Sequence, residues 1–377
     1  MTDKTTSGNG PSLLLIGPRT RPGVPLGGAV VLFEQLVEYY ASVPSCDIRV
    51  IDTSRKPANG WLRKTCRRAA ALIRTMAIAF RHAPWCDVVV LNASSGGALG
   101  AGPVLWAVAS LWRKPFVTRL FGGSFDLFYN RASAWQRFLA DATFIGRGVV
   151  LVETHALRHR FGEGTRVRFF PNTRDLIPIP TRRGACTRFL FLSQLRPQKG
   201  IREALAASDR LPAGCTLDVY GPFMPGIEPE VFSGHPHATY CGTVRPSQVA
   251  DVLASHDVLL FPTYYQGEGM PGAVIEAQQA GMPVLASRWR SLGELIDDGV
   301  NGFLIEPRSI DELAQAMERL ARDADLFARM SRRARERGET LRSHVWNATF
   351  HAWMTELAER PADRPPSHTI AARSPFA

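Results

Sequence analysis

The stretch Val258-Leu-Leu-Phe-Pro-Thr-Tyr-Tyr-Gln-Gly-Glu268-Gly-Met-Pro-Gly-Ala-Val-Ile-Glu276-Ala-Gln-Gln-Ala-Gly-Met-Pro-Val-Leu-Ala286 sets two short apolar runs on either side of a glycine-rich turn and a helix-length segment. Val258 to Phe261 has the length and character of a buried strand, and Val284 to Ala286 reads as the next one. Between them a helix starts near Gly272 and is ended by Gly281 and Pro283. Strand, turn, helix and strand make the unit of a parallel sheet joined by crossovers. The N–H groups of Gly272, Ala273 and Val274 stand at the open start of that helix, where a phosphate fits.

Outward from this unit the alternation persists. Leu13-Leu-Leu-Ile-Gly-Pro closes on glycine, a turn-rich segment leads to Gly27-Gly28, and Val30 to Tyr40 follows with helical periodicity. Apolar runs return at Ile48 to Asp52, Val88 to Leu91, Phe116 to Leu120 and Val149 to Val152. The connector Ile177-Pro-Ile-Pro-Thr-Arg-Arg-Gly interrupts the series, and Phe189-Leu-Phe-Leu restarts it. Strands are expected at Thr216 to Tyr220, Thr239 to Gly242 and Gly302 to Ile305, then helical sequence over 310–337 and 341–357. The expected fold class is α/β with two doubly wound, Rossmann-like domains, 13–178 and 179–340, a helix at 341–358, and disordered ends at 1–12 and 359–377. Such domains, facing across a cleft, bind ligands at the carboxyl ends of their strands.

Composition narrows the class. With 45% apolar and 21% charged residues, the chain holds material for two cores, and its glycines and prolines form no repeat. The six cysteines contain no Cys-x-x-Cys pair, so neither a zinc site nor a disulfide framework is expected. The N-terminus lacks the order of a signal peptide, which points to a cytoplasmic chain. Val88 to Trp112 carries no charge, yet its polar Asn92-Ala-Ser-Ser-Gly-Gly turn argues against a membrane span. Residues 1–180 hold 23 Lys and Arg against 11 Asp and Glu, a net +12, whereas the remainder nets −1. The first half is thus expected to meet an anionic partner. Its densest part, 61–81, reads as an amphipathic helix with Leu62, Cys66, Ala69, Leu72, Ile73, Met76 and Phe80 on one side and Arg63, Lys64, Arg67, Arg68, Arg74 and Arg81 as cations. It suits an anionic membrane surface or, equally, a solvated helix face.

Two carboxylates flank the expected phosphate position. Glu268 lies just before the turn and Glu276 about one helical turn inside. Glu276 stands among Ala273, Val274, Ile275 and Ala277, where an unpaired carboxylate is costly unless a ligand uses it. Carboxylates accept hydrogen bonds from sugar hydroxyls, so Glu276 suits a ribose diol and Glu268 a second sugar.

These residues resemble the retaining glycosyltransferases of family 4, which have the GT-B architecture. The resemblance rests on the Glu-x7-Glu spacing of Glu268 and Glu276, on Ala280-Gly281-x-Pro283-Val284, and on Glu294-Leu-Ile-x-x-Gly299-x-Asn301-Gly302. It implies two Rossmann-like domains, with the C-terminal helix crossing back to the N-terminal one. It makes Glu268 catalytic and assigns donor binding to Glu276, Gly269, Met270, Gly272, Ala273 and Val274. Phe191-Leu-Ser-Gln-Leu-Arg196-Pro-Gln-Lys199-Gly200 resembles the loop that delivers an arginine and a lysine to the donor diphosphate. Lys199 matches; Gln194 stands where the family has arginine, and Arg196 is its substitute two residues on. Gly27, Gly28 and Val244 complete the implied donor set. Arg119, Gly122 and Asp126 form the implied acceptor side, where Leu120-Phe121 replaces the histidine of many relatives. Asn172 and Asp175 read first as turn residues.

The resemblance implies transfer of a sugar from a nucleotide diphosphate sugar to a glycan or lipid-linked glycan, with retention, no cofactor and no metal, in bacterial surface polysaccharide assembly at the inner face of the cytoplasmic membrane. The lone Asp-x-Asp spelling, Asp323-Ala-Asp325, sits in charged helical sequence and reads as surface. The rival readings are a nucleotide-sugar epimerase of the same shape and a non-catalytic membrane-associated assembly protein. A nucleic-acid partner is not expected, because the basic helix carries no reader motif.

Overall fold

The computed structural model describes residues 10–21, 27–54, 61–162, 166–175 and 184–359, with backbone alone for 61–64. Residues 1–9 and 360–377 of the expected disordered ends, most of the proline connector, and the side chains of Arg63 and Lys64 lie outside the described residues. Residues 10–12 are ordered, with Pro11 buried and Ser12 N–H donating to Asp87 Oδ2 at 2.9 Å, and Glu359 ends a helix. The chain divides into two units, one built from the sequence up to Pro171 together with the segment from Ser343, the other from Asn172–Arg342.

The first unit holds strands β1 (Leu13–Gly17), β2 (Ile48–Asp52), β3 (Val88–Ser94), β4 (Phe116–Phe121), β5 (Val149–Val152) and β6 (Val167–Phe169). Helices α1 (Gly28–Ala41), α2 (Trp61–His82), α3 (Ser95–Leu111), α4 (Phe125–Arg131), α5 (Ala134–Ala140) and α6 (His155–Phe161) connect them. The strands form one parallel sheet in the order β2-β1-β3-β4-β5-β6. Leu13 to Ile16 and Val88 to Leu91 are buried on both faces, which is why they read as continuous apolar runs. The uncharged run 88–112 is strand β3 followed by α3, and no helix among the described residues is long and apolar enough to cross a membrane.

The second unit holds β7 (Arg188–Leu192), α7 (Ile201–Ser208), β8 (Thr216–Tyr220), β9 (Ala238–Tyr240), α8 (Val249–Ala254), β10 (Val258–Phe261), α9 (Gly272–Gln279), β11 (Val284–Ser287), β12 (Gly302–Ile305), α10 (Ile310–Arg322) and α11 (Ala324–Glu339). Its parallel sheet has the order β12-β11-β10-β7-β8-β9. The chain enters at β7, adds β8 and β9 on one side, then returns to add β10 on the other. The order therefore reverses between β7 and β10, and loops leaving those two strands diverge around a crevice. The charged helical sequence over 310–337 is two helices, parted at Asp323, whose carboxylate accepts from Leu326 N–H at 2.8 Å and caps α11.

Helix α12 (Ser343–Glu359) belongs to the first unit. Phe350 packs on Tyr40 of α1 and on Phe170, with ring centroids 6.2 and 5.6 Å apart. Arg168 on β6 pairs with Glu356 at 3.2 Å.

Helix α2 turns only part of its expected apolar side inward. Thr75 and Ala79 are buried and Leu72 and Met76 half-buried, with Met76 packed on the core, whereas Cys66 and Ala69 are exposed, and Ile73 and Phe80 are 60% and 46% exposed. Small residues at i and i+4 let the helix lie close to its neighbours, with Ile73 and Phe80 left outside.

Candidate donor site

The site is built on the loops after β7 and β10, the two strands at the reversal of the second sheet. Gly200 brings them together. Its φ is +77°, and a Cβ there would lie 2.1 Å from the carbonyl oxygen of Pro262, so only glycine allows this approach. Lys199 is thereby delivered to the acidic loop, with Nζ 2.6 Å from Glu268 Oε2.

Glu268 is buried and Lys199 half-buried, their side chains 8% and 13% exposed. Thr263 Oγ1 donates to the same carboxylate oxygen at 2.9 Å and accepts from Tyr265 N–H at 3.2 Å. The loop is held at several further points. Tyr264 N–H donates to Gln198 O at 2.8 Å, Trp289 Nε1 to Tyr265 O at 2.9 Å, and Ser291 Oγ to Gly269 O at 2.9 Å. Gly269 and Met270 are buried within this loop. Arg196 and Lys199 converge on one ring: the guanidinium carbon lies 5.5 Å and the ammonium 5.2 Å from the Tyr265 centroid. Arg196 also donates to Gln194 at 2.6 Å, so the arginine and the glutamine that occupies its expected place are in direct contact.

Helix α9 starts at Gly272 with Pro271 as its N-cap. The proline has no N–H, and Gly272 and Ala273 keep the open first-turn N–H groups. Val274 does not join them: its N–H donates to Pro271 O at 3.1 Å, a tight first turn that corrects the expected set of three. Glu276 lies on the same helix. Its carboxylate accepts from Arg174 Nε at 2.8 Å, and Arg174 Nη1 donates to Asn172 Oδ1 at 2.5 Å and Thr173 O at 2.8 Å. Asn172 Nδ2 in turn donates to Met270 O at 2.7 Å. Burial pushes the Glu276 carboxyl above the usual carboxylate value, and the neighbouring Arg174 charge offsets part of that rise.

Asn172 and Arg174 thus belong to the site, although Pro-Asn-Thr-Arg-Asp reads as a polar turn. The Arg174 partner lies 102 residues away in sequence, and no local spacing signals the pair. Thr263, also absent from the sequence-derived set, could have been found as the hydroxyl residue following the end of β10. Val244 is half-buried on the loop after β9, two strands beyond β7 at the sheet edge.

The remaining expected residues lie in the first unit. Gly27 caps α1 and Gly28 begins it, both exposed with open space where a side chain would stand. Gly122 follows β4, and Asp126 lies in the first turn of α4. Arg119 is 2% exposed, its guanidinium carbon 5.0 Å from the Phe121 ring centroid and 4.3 Å from that of Phe170. It therefore sits in the interior of its unit.

Residues 186–323 match the model of the family described as glycosyl transferases group 1. Among curated proteins, sulfoquinovosyl transferase SQD2 of Arabidopsis thaliana is 26% identical over 163 residues, which cover 42% of this chain and 31% of that protein. The chain thus spans about a third of the length of the curated relatives it matches first. Among solved structures, Anabaena Alr3699/HepE in complex with UDP aligns with a TM-score of 0.69 at 16% identity, covering 92% of this chain and 100% of that one. Sucrose-phosphate synthase from Thermosynechococcus elongatus aligns with a TM-score of 0.70 at 18% identity, covering 92% and 99%. The chain is accordingly an α/β protein of the two-domain GT-B fold, with a segment of its second unit similar to the glycosyl transferases group 1.

Proposed function

We propose that this chain is a retaining glycosyltransferase of the family 4 type, moving a sugar from a nucleotide diphosphate sugar to a hydroxyl of a glycan or lipid-linked glycan. The observation that carries this reading is the arrangement at the β7/β10 reversal: an open helix tip at Gly272, with Lys199 paired to Glu268 and Arg174 paired to Glu276. The diphosphate sits on the tip, Glu276 takes the ribose diol and Glu268 the transferred sugar, and Lys199 with Arg196 neutralises the departing diphosphate. The bond from the anomeric carbon to the diphosphate oxygen breaks, a bond to the acceptor oxygen forms on the same face, and the acceptor proton leaves with the diphosphate. No metal cofactor enters the proposal, because these cations take the charge-stabilising part. UDP in the Alr3699/HepE structure supports a nucleotide donor for this fold.

The first unit takes the acceptor, through Gly122 and Asp126, and rests on an anionic membrane surface in bacterial surface polysaccharide assembly. Between residues 53 and 125 Asp87 is the single carboxylate, against a run of arginines and lysines. Exposed Ile73, Phe80, Leu111 and Trp112 accompany Arg67, Arg68, Arg74 and Arg81, and the Phe80 and Trp112 rings meet with centroids 5.6 Å apart.

The test is a panel of nucleotide diphosphate sugars scored for nucleoside diphosphate release with and without glycan acceptors. Acceptor-dependent release supports transfer. An isomeric sugar formed without acceptor means an epimerase, and no binding of any donor means an assembly protein.

A further inference from the structure

The donor-site reading uses Arg174 only as the partner of Glu276 and gives it no contact with the donor, yet its guanidinium lies at the helix tip. The residue is 8% exposed. Nε is committed to Glu276, and Nη1 to Asn172 and Thr173. The third nitrogen, Nη2, donates to no described residue. It lies against the first residue of α9: a Cβ on Gly272 would come within 2.0 Å of it, so the glycine is what lets the guanidinium reach the tip.

That placement is electrostatically incomplete. The start of a helix carries partial positive charge, and a buried cation beside it raises the local potential further. Glu276 balances one charge but occupies the Nε side. The Nη2 side and the open N–H groups of Gly272 and Ala273 face the same region with no carboxylate assigned to it. Gly272 and Ala273 are half-buried, and an anion on the tip would accept from their N–H groups and from Nη2 together.

We propose that Arg174 is a donor-binding residue, holding Glu276 through Nε while Nη2 donates to the diphosphate seated on the tip of α9. The proposal rests on the donor-site reading above and adds to it a cation other than Lys199 and Arg196. The planar fork of arginine suits the task, since it serves a carboxylate and a phosphate oxygen at once.

The test compares wild type with Arg174→Gln and Arg174→Lys in the full chain, titrated with uridine, guanosine and adenosine diphosphates and with the corresponding nucleosides. The readout is the ratio of diphosphate to nucleoside affinity. Loss of one charge-assisted bond predicts a fall of about ten- to a hundredfold in that ratio for Arg174→Gln and a smaller fall for Arg174→Lys. A purely structural role lowers both affinities together, and an unchanged ratio overturns the proposal. If wild type binds none of the diphosphates, the donor-site reading itself fails. A crystal structure of wild type with the bound diphosphate keeps the test independent of variant folding. A phosphate oxygen within about 3.2 Å of Nη2 is expected, and a diphosphate on the tip out of reach of Nη2 overturns it.

Discussion

Lys199 Nζ and Glu268 Oε2, 69 residues apart in sequence, meet at 2.6 Å in the buried floor of the loops leaving β7 and β10. Two adjacent parallel strands, one glycine without a Cβ and one hydroxyl are enough to fix that pair. Removing Lys199 leaves the Glu268 charge buried and uncompensated, so Lys199→Met should cost about 3–5 kcal/mol of stability, and Glu268→Gln, which strands a half-buried ammonium, less. A double-mutant cycle by chemical denaturation should show the two losses to be strongly less than additive. Transfer should fall by about a hundredfold or more in either variant; full activity in Lys199→Met would remove the lysine from the leaving-group role.

Gly272 offers a separate perturbation of the same site. A methyl group there meets the Arg174 guanidinium, so Gly272→Ala should displace it and release Glu276. Overpacking of this kind costs about 1–3 kcal/mol. Donor affinity should fall with it, and adding Arg174→Ala should restore stability in part. A Gly272→Ala protein with unchanged melting temperature and donor affinity would contradict the contact.

The raised Glu276 carboxyl fixes the sign of a pH effect. Burial makes the folded protein hold this proton to a pH above the ordinary carboxylate range, with the Arg174 charge opposing it. A ribose diol needs the ionised form as acceptor, so nucleoside affinity should weaken as pH falls through that raised value. In Glu276→Gln the acid limb should vanish and the affinity should be low at every pH. An acid limb that persists in Glu276→Gln would belong to another group.

The outward side of α2 should bind anionic vesicles. Flotation of the full chain should be salt-sensitive, because surface charges are screened within about 8 Å at physiological ionic strength. It should drop sharply in a Phe80→Ser, Trp112→Ser variant that keeps its melting temperature. Equal flotation with neutral and anionic lipid would argue against the cationic face.

The strands were legible because parallel strands buried on both faces are unbroken apolar runs. β6 escaped, since Val167-Arg-Phe169 is three residues long with a charge in the middle. Glu268, Glu276, Lys199 and Gly200 were legible because strand ends and helix starts punctuate the sequence with glycine and proline. Arg174 was not, because its meaning comes from a partner on an element far along the chain and from the absence of a side chain at Gly272. The inward side of α2 was legible in part: Leu72 and Met76 turn in as their spacing suggests, but Thr75 and Ala79 are small and polar or weakly apolar, and their close packing gave no such signal.

The most direct measurement is calorimetric titration of the full chain with a panel of nucleoside diphosphates, repeated on Glu276→Ala. One of them should bind at a single site, with affinity reduced about a hundredfold in the variant through loss of a charged hydrogen-bond acceptor. Binding of no nucleoside diphosphate, or equal binding by parent and variant, would contradict a donor site at the tip of α9.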